Sequence, residues 1–377
     1  MTVREDLDSP AQRTLALTSR LLASLRLDGP LVIGLALIAL YGQWILFSSS
    51  GGDWESVMRG TVRLALGAVL MLFLAQLRPG TFHRLAPWLF GIGLVLLVIV
   101  DAIGYIGKGA QRWLDLGIVR FQPSEIMKLA VPMTCAWLLH ERPLPPDART
   151  LGLLATVILV PTALVIVQPD LGTGLLILAS GALVVLFAGL SGRLVAALGA
   201  VAAGAGWIGW NFLHDYQRQR VLTFLDPSSD PLGSGYHIIQ SSIAIGSGGL
   251  VGKGYLRGTQ GQLEFLPERS TDFVFAVVGE ELGLLGALLL IGLYLFVVFR
   301  ALFLASQMRD TFSRLFAASI GAIFFVYVFI NAGMVSGLLP VVGVPLPLVS
   351  YGGTSMVTLL AGFGILMSLY ANRKLAA

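Results

Sequence analysis

Charge is what this chain has least of. Only 12% of its 377 residues are Asp, Glu, Lys or Arg, against roughly 25% in a soluble domain. That scarcity excludes a soluble enzyme. It also excludes a disordered segment, which needs high charge and little apolar content, and a nucleic-acid-binding domain, which needs a basic patch. Cysteine is nearly absent. The single Cys135 has no partner for an intramolecular disulfide and cannot build a metal cage. It lies in an apolar run and reads as a small packed residue. What fills the chain is apolar: 56% of residues, with a mean hydropathy of +0.82. This is the composition of a polytopic membrane protein. The net charge of +4 then reflects arginines in loops.

A membrane helix needs about 20 mostly apolar residues. The first such stretch lies between Asp28 and Asp53. Others cover 57–77, 85–100 and 123–140. The stretch 150–192 holds one charge, Asp170, and suits two spans hinged at 168–170. Residues 194–213 make the seventh span, and 282–299 anchor the eighth. Residues 315–372 carry no formal charge and suit two spans around Pro340, Pro345 and Pro347. The fold class expected is an all-α polytopic membrane protein of ten transmembrane helices, with a large extracytoplasmic loop between spans 7 and 8.

Lysine and arginine favour cytoplasmic loops. With the N-terminus inside, the inner segments hold fourteen of the 25 basic residues, and the outer loops eight. Both termini are therefore expected in the cytoplasm. Residues 1–28 form an N-terminal tail, 29–372 the membrane domain and 373–377 a short cytoplasmic end. Charges recur from Arg4 to Arg26 with no small-residue cleavage site, unlike a signal peptide. Residues 14–27 suit either a basic interfacial helix or a frayed tail. No internal repeat is visible, which weakens an inverted-repeat transporter architecture.

The unusual residues collect on the expected outer face, in loops at about 104–122, 214–271 and 340–353 and at the 168–171 hinge. Glu125 and Lys128 are three apart, share a helix face and lie at a span start, where lone charges tend to be paired and functional. A buried pair that only fixes packing is the competing reading. Trp113, beside Arg112, suits an interfacial aromatic. Asp170 suits a helix cap or a cation or substrate ligand. Arg218 and Arg220 fit phosphate geometry or a solvated loop face. Five carboxylates (Glu264, Glu268, Asp272, Glu280, Glu281) and Arg269 lead into an apolar run. A partly desolvated Asp272 at that mouth suits a general base. The alternative is a helix start capped by Ser270 or Thr271, with Asp272 favouring its positive end. Ser350, Gly352 and Gly353 open the last span, where backbone N–H groups can receive an anion or simply turn the chain.

GAQRWLDLG with FQPSEIMK, QPDLGTG, FLPERSTDFVFAVVGEELG and LPVVGVPLPLVSYGGTS occur in one order. Together they resemble the SEDS family (shape, elongation, division and sporulation) over about residues 30–372. The phrases TQGQLEFLPER and NAGMVSGLLPVVGVPLPLVSYGG resemble its RodA, or elongation, branch more than its division branch. The resemblance implies a ten-span peptidoglycan glycosyltransferase that polymerises lipid II at the outer face of the cytoplasmic membrane. It also implies a class B penicillin-binding protein as partner, other elongation-machinery membrane proteins nearby, and no nucleic acid. The family's essential aspartate falls on Asp272. Its Trp falls on Trp113, its Glu and Lys on Glu125 and Lys128, and its second Asp on Asp170. One departure is visible: the family commonly has His before Thr-Asp, and Ser270 stands there.

The expected chemistry is glycosyl transfer. Asp272 would take the proton of the acceptor sugar's hydroxyl, and undecaprenyl diphosphate would leave. Positive charge near that diphosphate would come from Lys128, Arg218, Arg220, Arg269 or the Gly352–Gly353 helix start. A divalent cation, Mg or Mn, is a further source that no ligand spacing identifies. Two other classes compete: a lipid II flippase, which should show polar residues through the depth of several spans, and a scaffold that only docks partners.

Overall fold

The computed structural model describes residues 26–373, apart from 108–109, 116–119, 213–214, 231–233, 264 and 267. All but the last two residues of the expected 14–27 helix lie outside the described residues, as do 374–377.

Aspartates and prolines set the helix starts. Asp28 caps α1 (Gly29–Ser49) through the Leu31 N–H, and Asp53 caps α2 (Trp54–Gln76) through the N–H groups of Glu55 and Ser56. Prolines open α3 (Pro79–Ile103) and α4 (Pro123–Leu139), where the missing N–H costs nothing. Asp147 caps α5 (Ala148–Val167), and Asp170 caps α6 (Leu171–Phe187). There follow α7 (Gly192–Gly209), α8 (Asp215–Leu225), α9 (Ser234–Gly248), the single turn α10 (Thr259–Gln262) and α11 (Val274–Ser306). Asp310 caps α12 (Thr311–Val335), and α13 (Thr354–Ala371) closes the fold.

Seven of these helices are long and apolar enough to cross a membrane: α1, α2, α3, α5, α11, α12 and α13. The chain is thus a largely helical polytopic membrane protein. The shorter α4, α6 and α7 coincide with the remaining expected spans. Exposed apolar residues run in helical stripes, such as Met58, Val62, Leu66, Val69 and Phe73 on α2, and Trp88, Ile92, Val95 and Ile99 on α3. In water such stripes would be costly; in lipid they are the outer surface. The protein core lies around α4, α12 and α13, which bury most of their residues. There α13 packs along α2 so closely that a Cβ on Gly364 would meet the Met71 carbonyl at 2.4 Å. Small residues permit such contact between membrane helices.

Two features differ from the sequence expectation. The loop between α3 and α4 carries a small antiparallel sheet, β1 (Tyr105–Gly107), β2 (Ala110–Asp115) and β3 (Arg120–Phe121), paired in that order.

The second is the eighth span. Its helix starts at Val274, eight residues before the expected anchor, and breaks at Gly283 (φ 65°, ψ −162°). That conformation is essentially open only to glycine. The break frees backbone groups, and the 249–254 turn takes them. Leu284 and Leu285 donate to the carbonyls of Gly249 and Leu250, and Lys253 and Gly254 donate to those of Glu280 and Glu281. The residues before the break, Val274–Glu281, are all buried. They form a stalk inside a cap built by α9, which packs along α11, and by the 253–263 segment. The described part of the 214–271 stretch is therefore largely helical, and its apolar part packs on the bundle.

Candidate active site

The PERSTDF segment folds as a tight turn ahead of α11. The N–H groups of Thr271 and Phe273 both donate to the Glu268 carbonyl at 3.1 Å, and the Thr271 hydroxyl donates to the Glu268 carboxylate at 2.7 Å. Asp272 stands half-buried on this turn.

The Pro-rich 340–353 segment lies against it. Prolines deny that segment helical hydrogen bonds, so other groups hold it. Ser350 Oγ accepts from the Leu346 N–H at 2.7 Å and donates to the Thr271 carbonyl at 2.5 Å. The Tyr351 N–H donates to the Ser270 carbonyl at 2.7 Å. Asn331 Nδ2, from α12, donates to the carbonyls of Asp272 (2.9 Å) and Val344 (2.7 Å). Tyr294 O–H, from α11, donates to the Pro347 carbonyl at 2.6 Å. The Asp272 carboxylate faces Gly343, where a Cβ would lie 3.4 Å from Oδ2 and where φ is +72°. The positive φ favours glycine there, while the 3.4 Å separation is ordinary van der Waals contact.

Basic groups flank this wall. The Arg63 guanidinium, from α2, stacks on the Tyr351 ring at 4.5 Å and adjoins Gly353, the cap residue of α13. Arg269 donates to the Gly261 carbonyl and lies beside Gly51. The N–H of Gly352 is already bonded to the Ser350 carbonyl at 2.6 Å. Ser350 is therefore a bracket of the site wall, with its hydroxyl used both ways.

A second polar cluster lies in the core. Lys128 Nζ meets Glu125 Oε1 at 2.7 Å, and the two residues are 7% and 5% exposed. Lys128 also lies 5.4 Å from the Tyr327 ring centre, and Tyr327 is hydrogen-bonded to Lys128 and Ser355. The second oxygen, Glu125 Oε2, has no protein partner. The spacing of the pair in sequence anticipated this contact.

At the hinge, Asp170 Oδ1 accepts the Thr173 N–H at 3.2 Å, which is the capping contact. Its Oδ2 accepts Gln122 Nε2 at 3.2 Å and faces Arg112 Nη1 at 3.6 Å. Arg112 also donates to the carbonyls of Gln168 and Pro169. The carboxylate is thus engaged by a cap, an amide and a guanidinium. Trp113 follows Arg112 on β2, half-buried opposite Tyr105. Among the described residues, no three His, Cys, Asp or Glu side chains converge as a metal site.

Other candidates lie elsewhere. Arg218 donates to the carbonyls of Trp210 (2.9 Å) and Asn211 (2.7 Å), stapling α8 to the 3-10 turn that follows α7. The Arg220 side chain and Glu264 lie outside the described residues. Glu280 and Glu281 are buried rivets of the cap. Glu280 binds Lys253 at 2.8 Å and accepts from the Gln260 and Gly261 N–H groups. Glu281 accepts from Ser48 Oγ and the Leu256 N–H.

Sequence reasoning passed over Arg63, Asn331 and His237. Arg63 had a signal, since a lone arginine inside an apolar helix is costly. Asn331 had the same kind of signal in an uncharged span. His237 had none. It stacks on Phe273 at 5.5 Å, and burial lowers its pKa while the Glu268 charge opposes the shift.

The chain is similar to known proteins over nearly its whole length. A family model described as a cell cycle protein, FTSW_RODA_SPOVE, matches residues 28–375. Peptidoglycan glycosyltransferase MrdB of Escherichia coli (strain K12) is 53% identical over 350 residues, covering 93% of this chain and 95% of that protein. Peptidoglycan glycosyltransferase RodA of Treponema pallidum (strain Nichols) is 31% identical, covering 90% and 96%. A chain from a peptidoglycan synthase complex, solved to show how polymerization and crosslinking are coordinated, superposes with a TM-score of 0.80. It is 37% identical and covers 92% of this chain and 98% of that one. The rod shape determining protein RodA of Thermus thermophilus gives a TM-score of 0.70 at 31% identity, covering 92% and 97%. With a match over nearly its whole length, the chain belongs to the FTSW_RODA_SPOVE family of cell cycle proteins.

Proposed function

We propose that this chain is a peptidoglycan glycosyltransferase of the RodA type, which polymerises lipid II during cell elongation and rod-shape maintenance. The observation that carries the reading is the Asp272 wall: a carboxylate held against Gly343 by two bonded loops, with Arg63 and Arg269 at its margins. Family membership and the named activity of the relatives support it.

The setting follows. The ten helices named above that match expected spans cross the cytoplasmic membrane, with both termini in the cytoplasm. The β1–β3 sheet, the α8–α10 cap and the 340–353 segment then face outward. The polyprenyl tail stays in lipid while the sugars reach Asp272.

In the reaction, the acceptor sugar's 4-hydroxyl attacks the anomeric carbon of the growing chain. Asp272 accepts the hydroxyl proton as the new C–O bond forms. The bond from that carbon to undecaprenyl diphosphate breaks, and the diphosphate leaves with the electron pair. A diphosphate carries negative charge well, so no second carboxylic acid is needed, unlike in glycosidases. It needs oriented positive charge. Arg63 at the start of α13, Arg269 and the Lys128 ammonium are the groups that would supply it. Trp113, Glu125, Asp170, Ser350, Gly352 and Gly353 shape and hold the surrounding wall, while Arg218 and Arg220 lie on the outer cap.

A class B penicillin-binding protein that crosslinks the product is the expected partner, consistent with the peptidoglycan synthase complex among the structural relatives. The test is polymerisation of labelled lipid II in detergent by the chain with that partner, beside Asp272→Ala. Glycan strands from the native chain alone support the reading. Strands from neither, with lipid II translocation in vesicles, would favour a flippase instead.

A further inference from the structure

We infer that Asn331 is a positioning residue for Asp272, one that sets the distance between the proposed base and the Gly343 loop. The inference rests on reading Asp272 as the base.

Asn331 is fully buried on α12. Its single Nδ2 nitrogen donates both protons, to the carbonyls of Asp272 (2.9 Å) and Val344 (2.7 Å). These carbonyls belong to two loops that face each other across the Asp272 carboxylate. Gly343, against that carboxylate, immediately precedes Val344. One amide thus ties the base to the wall opposite it. Few side chains can do this. Asp has no donor when ionised, Leu none at all, and Ser only one.

The amide is also retained at a cost. Its Oδ1 is buried with no partner. A buried unpaired carbonyl is destabilising, and in native proteins each calls for an explanation. The paired donation to both loops supplies one. One turn earlier on the same face, Tyr327 touches Lys128 and Ser355. α12 is therefore a common bar under both polar clusters, and Asn331 is where it holds the base.

Positioning has a kinetic signature. A base displaced by about 1 Å costs on the order of 10²-fold in rate, while substrate binding through remote groups is unchanged. The experiment compares Asn331→Leu, Asn331→Asp, Asp272→Ala and Ser241→Ala, each as the full chain with its penicillin-binding partner. Leu fills the space without donors, and Asp keeps the shape without donors. Ser241 Oγ donates to the Val335 carbonyl at 2.9 Å, a buried bracket one turn further along α12 that does not reach Asp272. Initial rates against lipid II concentration give kcat and KM, and a binding titration gives the fraction of chains that take lipid II.

The expected result is a kcat lower by about 10²-fold in both Asn331 variants, with KM and binding stoichiometry near native, and Ser241→Ala near native throughout. Native kcat in either Asn331 variant overturns the inference. So does a loss carried by KM or by the binding fraction, or unfolding of both variants, since the bracket would then serve the fold and not the base. If Asp272→Ala still polymerises, the reading of Asp272 fails and the positioning role falls with it. If Asp272→Ala is inactive while the Asn331 variants are native, only the positioning role fails.

Discussion

The Glu125–Lys128 pair offers a decisive perturbation, because removing one partner and removing both have unequal consequences. The pair is 2.7 Å apart and both members are nearly fully buried. Taking away one leaves an uncompensated charge in the core, a loss of about 3–5 kcal/mol. Taking away both, with near-isosteric Glu125→Gln and Lys128→Met, leaves no stranded charge and is expected to fall within about 1–2 kcal/mol of native. Reversible denaturation in mixed micelles would measure all four proteins and close a double-mutant cycle. Activity then separates structure from chemistry. If the ammonium faces the departing diphosphate, the stable double variant loses about 10²–10³-fold in kcat, the effect of one lost charge-stabilising donor. A double variant as unstable as either single one would refute the electrostatic reasoning. A stable double variant with native kcat would reduce the pair to packing.

Other outcomes follow from the same geometry. Gly343→Ala and Gly337→Ala impose similar backbone strain, since both positions have φ +72°. Only Gly343 faces Asp272, so its variant should lose far more polymerisation rate at comparable thermal stability. Arg63→Ala should raise KM for lipid II by about 10- to 150-fold, as lost charge-assisted contacts of about 1.5–3 kcal/mol imply, whereas Arg59→Ala should change stability by less than about 1 kcal/mol, because its Glu55 pairing is exposed. His237 has a folded pKa below its ordinary value because of burial. The unfolded chain then binds the proton first as pH falls, so the stability held above about pH 6.5 is lost below it. His237→Phe should flatten that acid limb in pH-dependent denaturation.

Much of the candidate site was legible because it is written in exceptions. A charge in an apolar run costs free energy, so Glu125, Lys128, Asp170 and Asp272 stood out against a chain with few charges. The 3-residue spacing of Glu125 and Lys128 implied their contact, since helix geometry is local. Asp170 as a cap was readable for the same reason. The roles of Ser350 and Arg218 were not, because a hydroxyl or guanidinium has many acceptors within reach and only the packed fold selects one. Glu280 and Glu281 looked like part of a charged mouth. Their burial depends on Lys253, Ser48 and the 256–261 backbone, which no local pattern brings together.

The linear order of residues by itself determined the membrane class, the approximate helix positions, the carboxylates worth testing and the family resemblance. Each rests on composition or on separations of a few residues, where free energy depends on near neighbours in the chain. Only the tertiary structure decided that the eighth helix breaks at Gly283 to accept a loop, that Arg63 from α2 meets Tyr351, and that Asn331 joins Asp272 to Val344. Those contacts join segments far apart in the chain. They exist because buried backbone groups must find partners wherever the packed bundle leaves them.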